Sequence, residues 1–373
     1  MKNGTIFVLN KERGVMMSVV GYDVVIVGAG PAGASLARIL NKNLRVLLID
    51  TRTLDMEVSK KIKNCGGLIA PDAQKALATF GLSIPKSVLV SPQMFSVETL
   101  DFDNDMVRSY QRHYINVDRE RFDKWLVSLC DAHITKSFKT RYLKHEAHEN
   151  GFNVTILKDG VEEIVSTKIL IGADGANSKI RRELAPTHAI KNYISIQEWF
   201  ENSTQLNQFV AIFDEEISDF YSWIIPKDDH IIFGSAIELS KDATTYHDLQ
   251  KKKLEKYGYK LHNPLKKLGC HLLRPSSAKD IYLGKGNIAL IGEAAGLISP
   301  TSAEGISYAM LSGCLLGDAI NENPQNFFSL YEQKVQTLKT NISHKMLKYP
   351  IMYNKNIRKL IFKLGISAID IRQ

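Results

Sequence analysis

Gly28, Gly30 and Gly33 stand at G-x-G-x-x-G spacing, and Asp50 lies 22 residues after the first of them. Glycines at these positions let a chain turn tightly, bring its backbone against a pyrophosphate and pack a helix closely on a strand. An acid at that distance reaches ribose hydroxyls. The chemistry so prepared is dinucleotide binding. Cys65 precedes Gly66 and Gly67, so the backbone there is free to pass close to another group. The thiol reads either as a small buried side chain or as a proton donor beside a reacting centre. Tyr221 and Trp223 are two apart and share one face of a strand. That face is either sheet core or the wall of an apolar cavity.

Metal chemistry is not expected. Cys65, Cys130, Cys270 and Cys314 form no C-x-x-C pair, and the ten histidines show no ligand spacing. Four scattered thiols in 373 residues suit a reducing compartment, so a cytoplasmic protein is expected. Lys60, Lys61 and Lys63 form a short basic run, read as a solvated loop or as a contact for a phosphorylated head group.

The elements that position these residues follow from local pattern. Val24 to Val27 is a β-branched run, as in a strand buried on both faces. Pro31 suits the first turn of a helix that runs to about Leu40. A second strand, 45–49, ends at Asp50. Two further apolar strands are expected at 168–173, leading into Asp174 and Gly175, and at 287–291, leading into Gly292, Glu293 and Gly296. A helix is expected from about Glu304 to Ala319. Alternating runs such as FYSWIIP and HIIFGSAI read as an antiparallel sheet.

The expected fold is α/β: a Rossmann-like parallel sheet carrying an inserted antiparallel β-rich domain and a C-terminal helical tail. The parallel domain takes residues 21–91, 118–185 and 276–320, and the β domain takes 92–117 and 186–275. Residues 1–20 read as an N-terminal extension and 321–373 as a basic helical segment. At 44% hydrophobic and 24% charged residues, collagen-like and disordered classes are excluded. No apolar stretch reaches the ~18 residues of a membrane span.

The net charge of +8 is carried by the tail. From Lys334 onward nine basic residues face Asp370 alone, so residues 1–333 are neutral overall. A nucleic-acid binder would spread its basic patch over the folded body, so no nucleic acid is expected. Val335, Leu338, Ile342 and Met346 fall at helical spacing. Pro350 is expected to break that helix, and Ile357, Leu360, Ile361 and Leu364 form a second stripe. Apolar stripes flanked by lysines read as helices packed on the body, or as peripheral contact with the inner face of a membrane.

Three segments together resemble the fingerprints of the para-hydroxybenzoate hydroxylase-like FAD fold: YDVVIVGAGPAGASLARIL, ADGANSKIR and LIGEAAGLISP. NVDRERFDKWL, with Arg119, resembles a further FAD-contacting element of that fold. KNCGGLIAPDAQ, FYSWIIPK and AAGLISPTSAEGISYAM resemble segments of the geranylgeranyl reductases. The resemblance implies FAD held by Gly28, Gly30, Ala32, Gly33, Asp50, Arg119, Asp174, Gly175, Gly292, Glu293, Gly296 and Gly305. The family's third fingerprint usually has Asp where Glu293 stands, and Glu keeps the acceptor with a longer reach.

By the same resemblance, Cys65, Tyr221 and Trp223 are the catalytic candidates, with the two aromatics walling a substrate tunnel. The implied activity is reduction of carbon–carbon double bonds in an isoprenoid or polyprenyl lipid by hydride from reduced flavin. The reductant is left open between NAD(P)H and a ferredoxin or flavodoxin, because no second nucleotide fingerprint is present. Two alternatives stand beside it: a flavin-dependent aromatic monooxygenase, and a non-catalytic isoprenoid-binding flavoprotein.

Overall fold

The computed structural model describes residues 5–10, 15–54, 64–202, 206–366 and 368–369. Lys60, Lys61 and Lys63 lie outside them. The chain opens with β1 (Thr5–Asn10), β2 (Val15–Val27), α1 (Pro31–Ile39), β3 (Val46–Ile49), β4 (Leu68–Ile69), α2 (Pro71–Thr79), β5 (Met94–Asp101) and β6 (Met106–Asn116). It continues through α3 (Arg119–Ser128), β7 (Ile134–Ser137), β8 (Thr140–His148), β9 (Gly151–Lys158), β10 (Val161–Gly172) and α4 (Lys179–Leu184). Next come β11 (Asn192–Glu201), β12 (Phe209–Phe213), β13 (Ser222–Lys227), β14 (His230–Glu238), α5 (Ala243–Leu254) and β15 (Pro264–Leu273). The last elements are β16 (Gly284–Lys285), β17 (Ile288–Leu290), α6 (Ile306–Glu322), α7 (Phe327–Lys334), α8 (Gln336–Tyr353) and α9 (Lys355–Lys363).

One sheet has a parallel centre in the order β17-β10-β2-β3-β7. Val24–Val27 of β2, Val46–Ile49 of β3 and Ile169–Ile171 of β10 are buried at its centre, as their β-branched runs require. β10 is longer than the expected 168–173 strand. Its first half pairs antiparallel with β9, and it lies parallel to β2 from Val165 onward. β2 likewise begins before Tyr22, at Val15, and its start pairs antiparallel with β1. Helices α1 and α6 pack on each other at backbone range, since a β-carbon at Gly313 would overlap the Ala32 carbonyl.

The other sheet runs β15-β11-β14-β13-β12-β5-β6-β4. Alternation sorts its side chains. Ile224, Phe233, Val210 and Phe200 cluster with Leu254 of α5. Trp223, Ile225, Tyr193, Trp199, Phe209 and Tyr114 form a second, aromatic cluster, against which Ala303 packs.

The tail meets one of its two readings in α8 and departs from expectation at Pro350. Val335, Leu338 and Ile342 are buried in the core of the first sheet, so this stripe faces the body and not a membrane. Pro350 does not break the helix, which runs on to Tyr353. Proline in a helix interior costs about 3 kcal/mol, but here the last turn is held by tertiary contacts. Tyr353 donates to the Thr301 carbonyl at 2.9 Å, and its ring lies 4.4 Å from the Arg274 guanidinium. The break falls at Asn354, whose side chain caps α9 by accepting from Asn356 and Ile357 N–H.

Candidate functional site

The turn from β2 into α1 assigns different work to its three glycines. Gly28 has φ +107°, and a β-carbon there would overlap the Ala173 carbonyl oxygen. A β-carbon at Gly33 would overlap the Gly28 carbonyl oxygen. These two let strand, turn and helix close on one another. Gly30 is different: a β-carbon there would meet only the far end of Arg52, at 3.9 Å. Open space therefore borders Gly30 at the N-terminus of α1. Among the described residues no side chain caps that terminus, and its first turn holds no acid. Free N–H groups and the positive dipole end face that space, which suits an anion.

The two other glycine-bearing segments converge here. Ala173 and Asp174, past the end of β10, lie against Gly28. Gly292, past β17, lies against Ala32, to whose β-carbon its own would stand 3.1 Å. Asp174 accepts from Lys179 N–H through Oδ2, while its Oδ1 is buried without a partner. Burial raises its pKa above the usual carboxylate range. Gly175 borders open space. Glu293 accepts from Leu273 N–H at 3.0 Å. Gly296 packs on the Asp280 carbonyl, and Gly305 caps α6. Arg181 ties the segments together by donating to the Ala294 and Asp280 carbonyls.

Asp50 lies at the head of a buried ion network. It accepts from Ala29 N–H at 2.8 Å and from the Arg52 side chain at 3.0 and 3.1 Å. Arg52 also donates to Asp123 at 2.7 Å, and Asp123 accepts from Arg119 at 2.9 Å. Arg119 in turn bonds the Cys65 side chain. Burial favours discharge of Arg119, but Asp123 and Cys65 outweigh it and raise its pKa. Burial likewise disfavours the Asp123 carboxylate, but the two arginines outweigh it and lower its pKa. The chain of charges thus runs from the glycine-rich turn to the Cys65 segment.

That segment is wedged against β13. A β-carbon at Gly66 would overlap Ile225, and one at Gly67 (φ +66°) would overlap the Val117 carbonyl and stand 2.8 Å from Lys227 Nζ. Lys227 donates to the Val117 carbonyl at 2.8 Å, to the Gly67 carbonyl at 3.2 Å and to Asn116. Burial pulls its pKa down to about 7, with Cys65 and Asp118 opposing.

Tyr221 and Trp223 are brought together, their rings 5.5 Å apart. The Tyr221 hydroxyl donates to the Ser302 carbonyl at 2.7 Å. Burial, then Glu304 and Tyr110, hold this phenol well above its ordinary pKa. Cys65 lies within electrostatic reach of it. Glu304 accepts from Arg112 at 2.9 Å and from Tyr114 at 3.1 Å. Trp223 lies over Gly234, where any β-carbon would overlap the indole. Its Nε1 and the Oε1 of Gln197, the residue opposite Gly234 on β11, are both buried without partners.

Residues 21–323 match the family described as the FAD binding domain. The chain belongs to the FAD-binding domain family. It is 38% identical over 348 residues to protein CbrA of Escherichia coli O9:H4 strain HS, covering 93% of this chain and 94% of that one. To protein CbrA of E. coli K12 it is 37% identical, covering 93% and 98%. Its structure is similar to that of a geranylgeranyl bacteriochlorophyll reductase-like protein from Thermoplasma acidophilum, with a TM-score of 0.77 at 18% identity, covering 94% and 92%. It is also similar to PqsL, a probable FAD-dependent monooxygenase from Pseudomonas aeruginosa, with a TM-score of 0.68 at 15% identity, covering 92% and 100%. The fold is therefore that of the FAD-dependent oxidoreductases and monooxygenases, as the fingerprints implied.

The residues present fit FAD. The space beside Gly30, the uncapped end of α1 and the unpartnered Asp174 oxygen together offer an anion site and a free acceptor. Among the described residues no group of three or more His, Cys, Asp or Glu side chains is placed to hold a metal. No helix among them is long and apolar enough to cross a membrane.

Several residues of this site escaped the sequence reading. Arg52 sits two residues past Asp50 and Asp123 one helical turn past Arg119, but only tertiary packing joins the two pairs. Arg112 and Tyr114 share a strand face by alternation, a signal that was present. Lys227 closes the FYSWIIPK segment, yet nothing in its spacing foretells burial.

Proposed function

We propose that this chain reduces carbon–carbon double bonds of an isoprenoid lipid. The observation that carries the proposal is the joining of three parts. The Tyr221–Ser302 hydrogen bond joins the aromatic wall of Tyr221 and Trp223 to the 300–304 loop, and Gly66 wedges the Cys65-Gly66-Gly67 segment against Ile225 of the same strand. An apolar, aromatic face beside a cofactor cradle suits a hydrocarbon chain with few polar groups. The likeness to a geranylgeranyl reductase-like fold supports the same class.

In this reading Gly28, Gly30, Ala32 and Gly33 form the pyrophosphate cradle, and Asp50, clamped by Arg52, meets the ribose. Asp174, Gly175, Gly292, Glu293, Gly296 and Gly305 lie along the rest of the cofactor, while Arg119 holds the network behind it. The chemistry that bound, reduced FAD would supply is a hydride for one carbon of the double bond, the other carbon taking a proton. The electrons come from NAD(P)H or from a ferredoxin or flavodoxin. The aromatic wall excludes water and aligns the chain, which matters because isolated olefins are poor hydride acceptors. Cys65 is the nearer candidate to hold the proton, with Lys227 as a neighbouring acid near neutrality. Tyr221 is the weaker candidate, because burial makes its phenol less acidic and its proton is committed to Ser302.

A second reading, hydroxylation of an aromatic substrate, is favoured by the unpartnered Trp223 Nε1 and Gln197 Oε1. A donor and an acceptor on one wall suit a substrate with a polar group. The test is incubation of reduced holoprotein with polyprenyl lipids, with and without oxygen, and product masses read by mass spectrometry. Gain of one hydrogen pair per double bond without oxygen supports reduction. Oxygen incorporation rejects it in favour of hydroxylation, and tight lipid binding with no mass change rejects turnover.

A further inference from the structure

Of the thirteen large apolar side chains exposed among the described residues, seven lie between Leu347 and Ile369. Single exposed apolar residues are ordinary, but a concentration of this kind calls for a partner. On α9 and its C-cap, Ile357, Leu360 and Leu364 recur at helical spacing along the outer face, with Leu360 57% and Leu364 63% exposed. On α8, Leu347 is 74% exposed and Ile351 50%.

These faces are fixed outward. Arg358, on the inner side of α9, is buried and donates to Asp101 at 2.9 Å and to Asp103 at 2.5 Å. Phe362 lies under the Arg108 guanidinium, 5.4 Å from it. The helix therefore cannot roll its apolar row inward without breaking a buried ion pair, which is strongly destabilising. Lys348, Lys359 and Lys363 flank the row, are exposed, and have no acidic partner among the described residues.

We propose that the outer faces of α8 and α9 seat this protein on an anionic lipid bilayer. Apolar side chains would enter the head-group region while the lysines meet lipid phosphates. A second copy of the chain is disfavoured as the occupant, because it would set the same unpaired lysines against each other. The seat also bears on the site. Arg274 lies 3.8 Å from the Tyr349 ring and 4.4 Å from the Tyr353 ring, and donates to the Pro300 carbonyl at 2.9 Å. Tyr353 donates to the next carbonyl, Thr301. The membrane-facing helices thus hold the 300–304 loop from behind. The proposal does not depend on the substrate reading.

The experiment is co-sedimentation of the full chain with phosphatidylcholine vesicles, with and without phosphatidylglycerol. Protein should pellet with the anionic vesicles and be released by salt. The double variants Leu360→Glu with Leu364→Glu, and Lys359→Glu with Lys363→Glu, should each lower partitioning by about tenfold or more. Their flavin content and circular dichroism should match the parent, which separates a lost seat from a lost fold. Equal recovery in the supernatant with both vesicle types overturns the proposal. So does vesicle binding unaffected by either variant, and so does a concentration-dependent dimer, broken by the leucine variant, with no vesicle binding.

Discussion

The Tyr221 hydroxyl donates to the Ser302 carbonyl at 2.7 Å, and this bond joins the aromatic wall of the second sheet to the loop that leads into α6. It joins the wall to the loop without touching the cradle at Gly30. Tyr221→Phe should therefore keep its flavin, lose about 1 kcal/mol of stability, and lose lipid turnover by about tenfold or more as alignment loosens. Flavin absorbance, thermal melting and turnover check the three parts. Lost flavin with intact turnover per bound flavin would contradict this division of labour.

Gly30 and Gly33 should fail in different ways. At Gly30 a side chain enters open space, so Gly30→Val should fold and lose FAD. At Gly33 it overlaps the Gly28 carbonyl, so Gly33→Val should lose the fold itself. Circular dichroism and flavin content of the two purified proteins distinguish the cases. Full flavin content in Gly30→Val would remove the cradle from the account.

Arg52→Met strands Asp50 and Asp123 without their shared cation. Removing one member of a buried ionic network costs about 3–5 kcal/mol. Both acids are buried, so little solvent is at hand to screen them. Chemical denaturation of the apoprotein should show a loss in that range. The Arg119–Asp123 pair alone would not preserve parental stability.

Lys227 gives a signature in pH. Its folded pKa of about 7 lies below the ordinary lysine value of ~10.4. Between those values the unfolded chain holds a proton that the folded chain does not. Stability from this group therefore rises as pH climbs from about 7 toward about 10, by at most ~1.4 kcal/mol per unit, and is lowest below pH 7. Burial sets the low value; of the charged groups that face the amine, Cys65, Asp118 and Asp228 oppose it and Arg119 adds to it. Lys227→Met should flatten the rise in thermal stability between pH 7 and 9 relative to the parent. An unchanged slope would show that the amine stays charged.

Much of the first sheet could be read from the chain. The β2–α1–β3 unit follows from short-range pattern, because strand, glycine turn and helix each have a local signature at Val24–Val27, Gly28–Gly33 and Pro31. The antiparallel half of β10 was not foreseen, although its partner β9 carries an alternating apolar signal in Phe152, Val154 and Ile156. The site divides the same way. Tyr221 and Trp223 share a face by alternation, and the strand keeps them together. Arg119 and Asp123 pair at i,i+4 spacing within α3, but Arg52 reaches Asp123 only once the segment after β3 packs on that helix, so the joined network could not be read from spacing. At Pro350 a local rule gave way to tertiary contacts, which the residue itself does not reveal.

The central claim is that a lipid double bond takes its hydride in this site without oxygen. The direct measurement is an anaerobic single turnover. FAD-loaded protein, reduced and freed of excess reductant, is mixed with geranylgeranyl lipid, and flavin absorbance is followed beside product mass. The account predicts return of the oxidised flavin spectrum with one double bond saturated per flavin, and a much slower return in Trp223→Ala. A flavin that stays reduced until oxygen is admitted, followed by an oxygenated product, would contradict it.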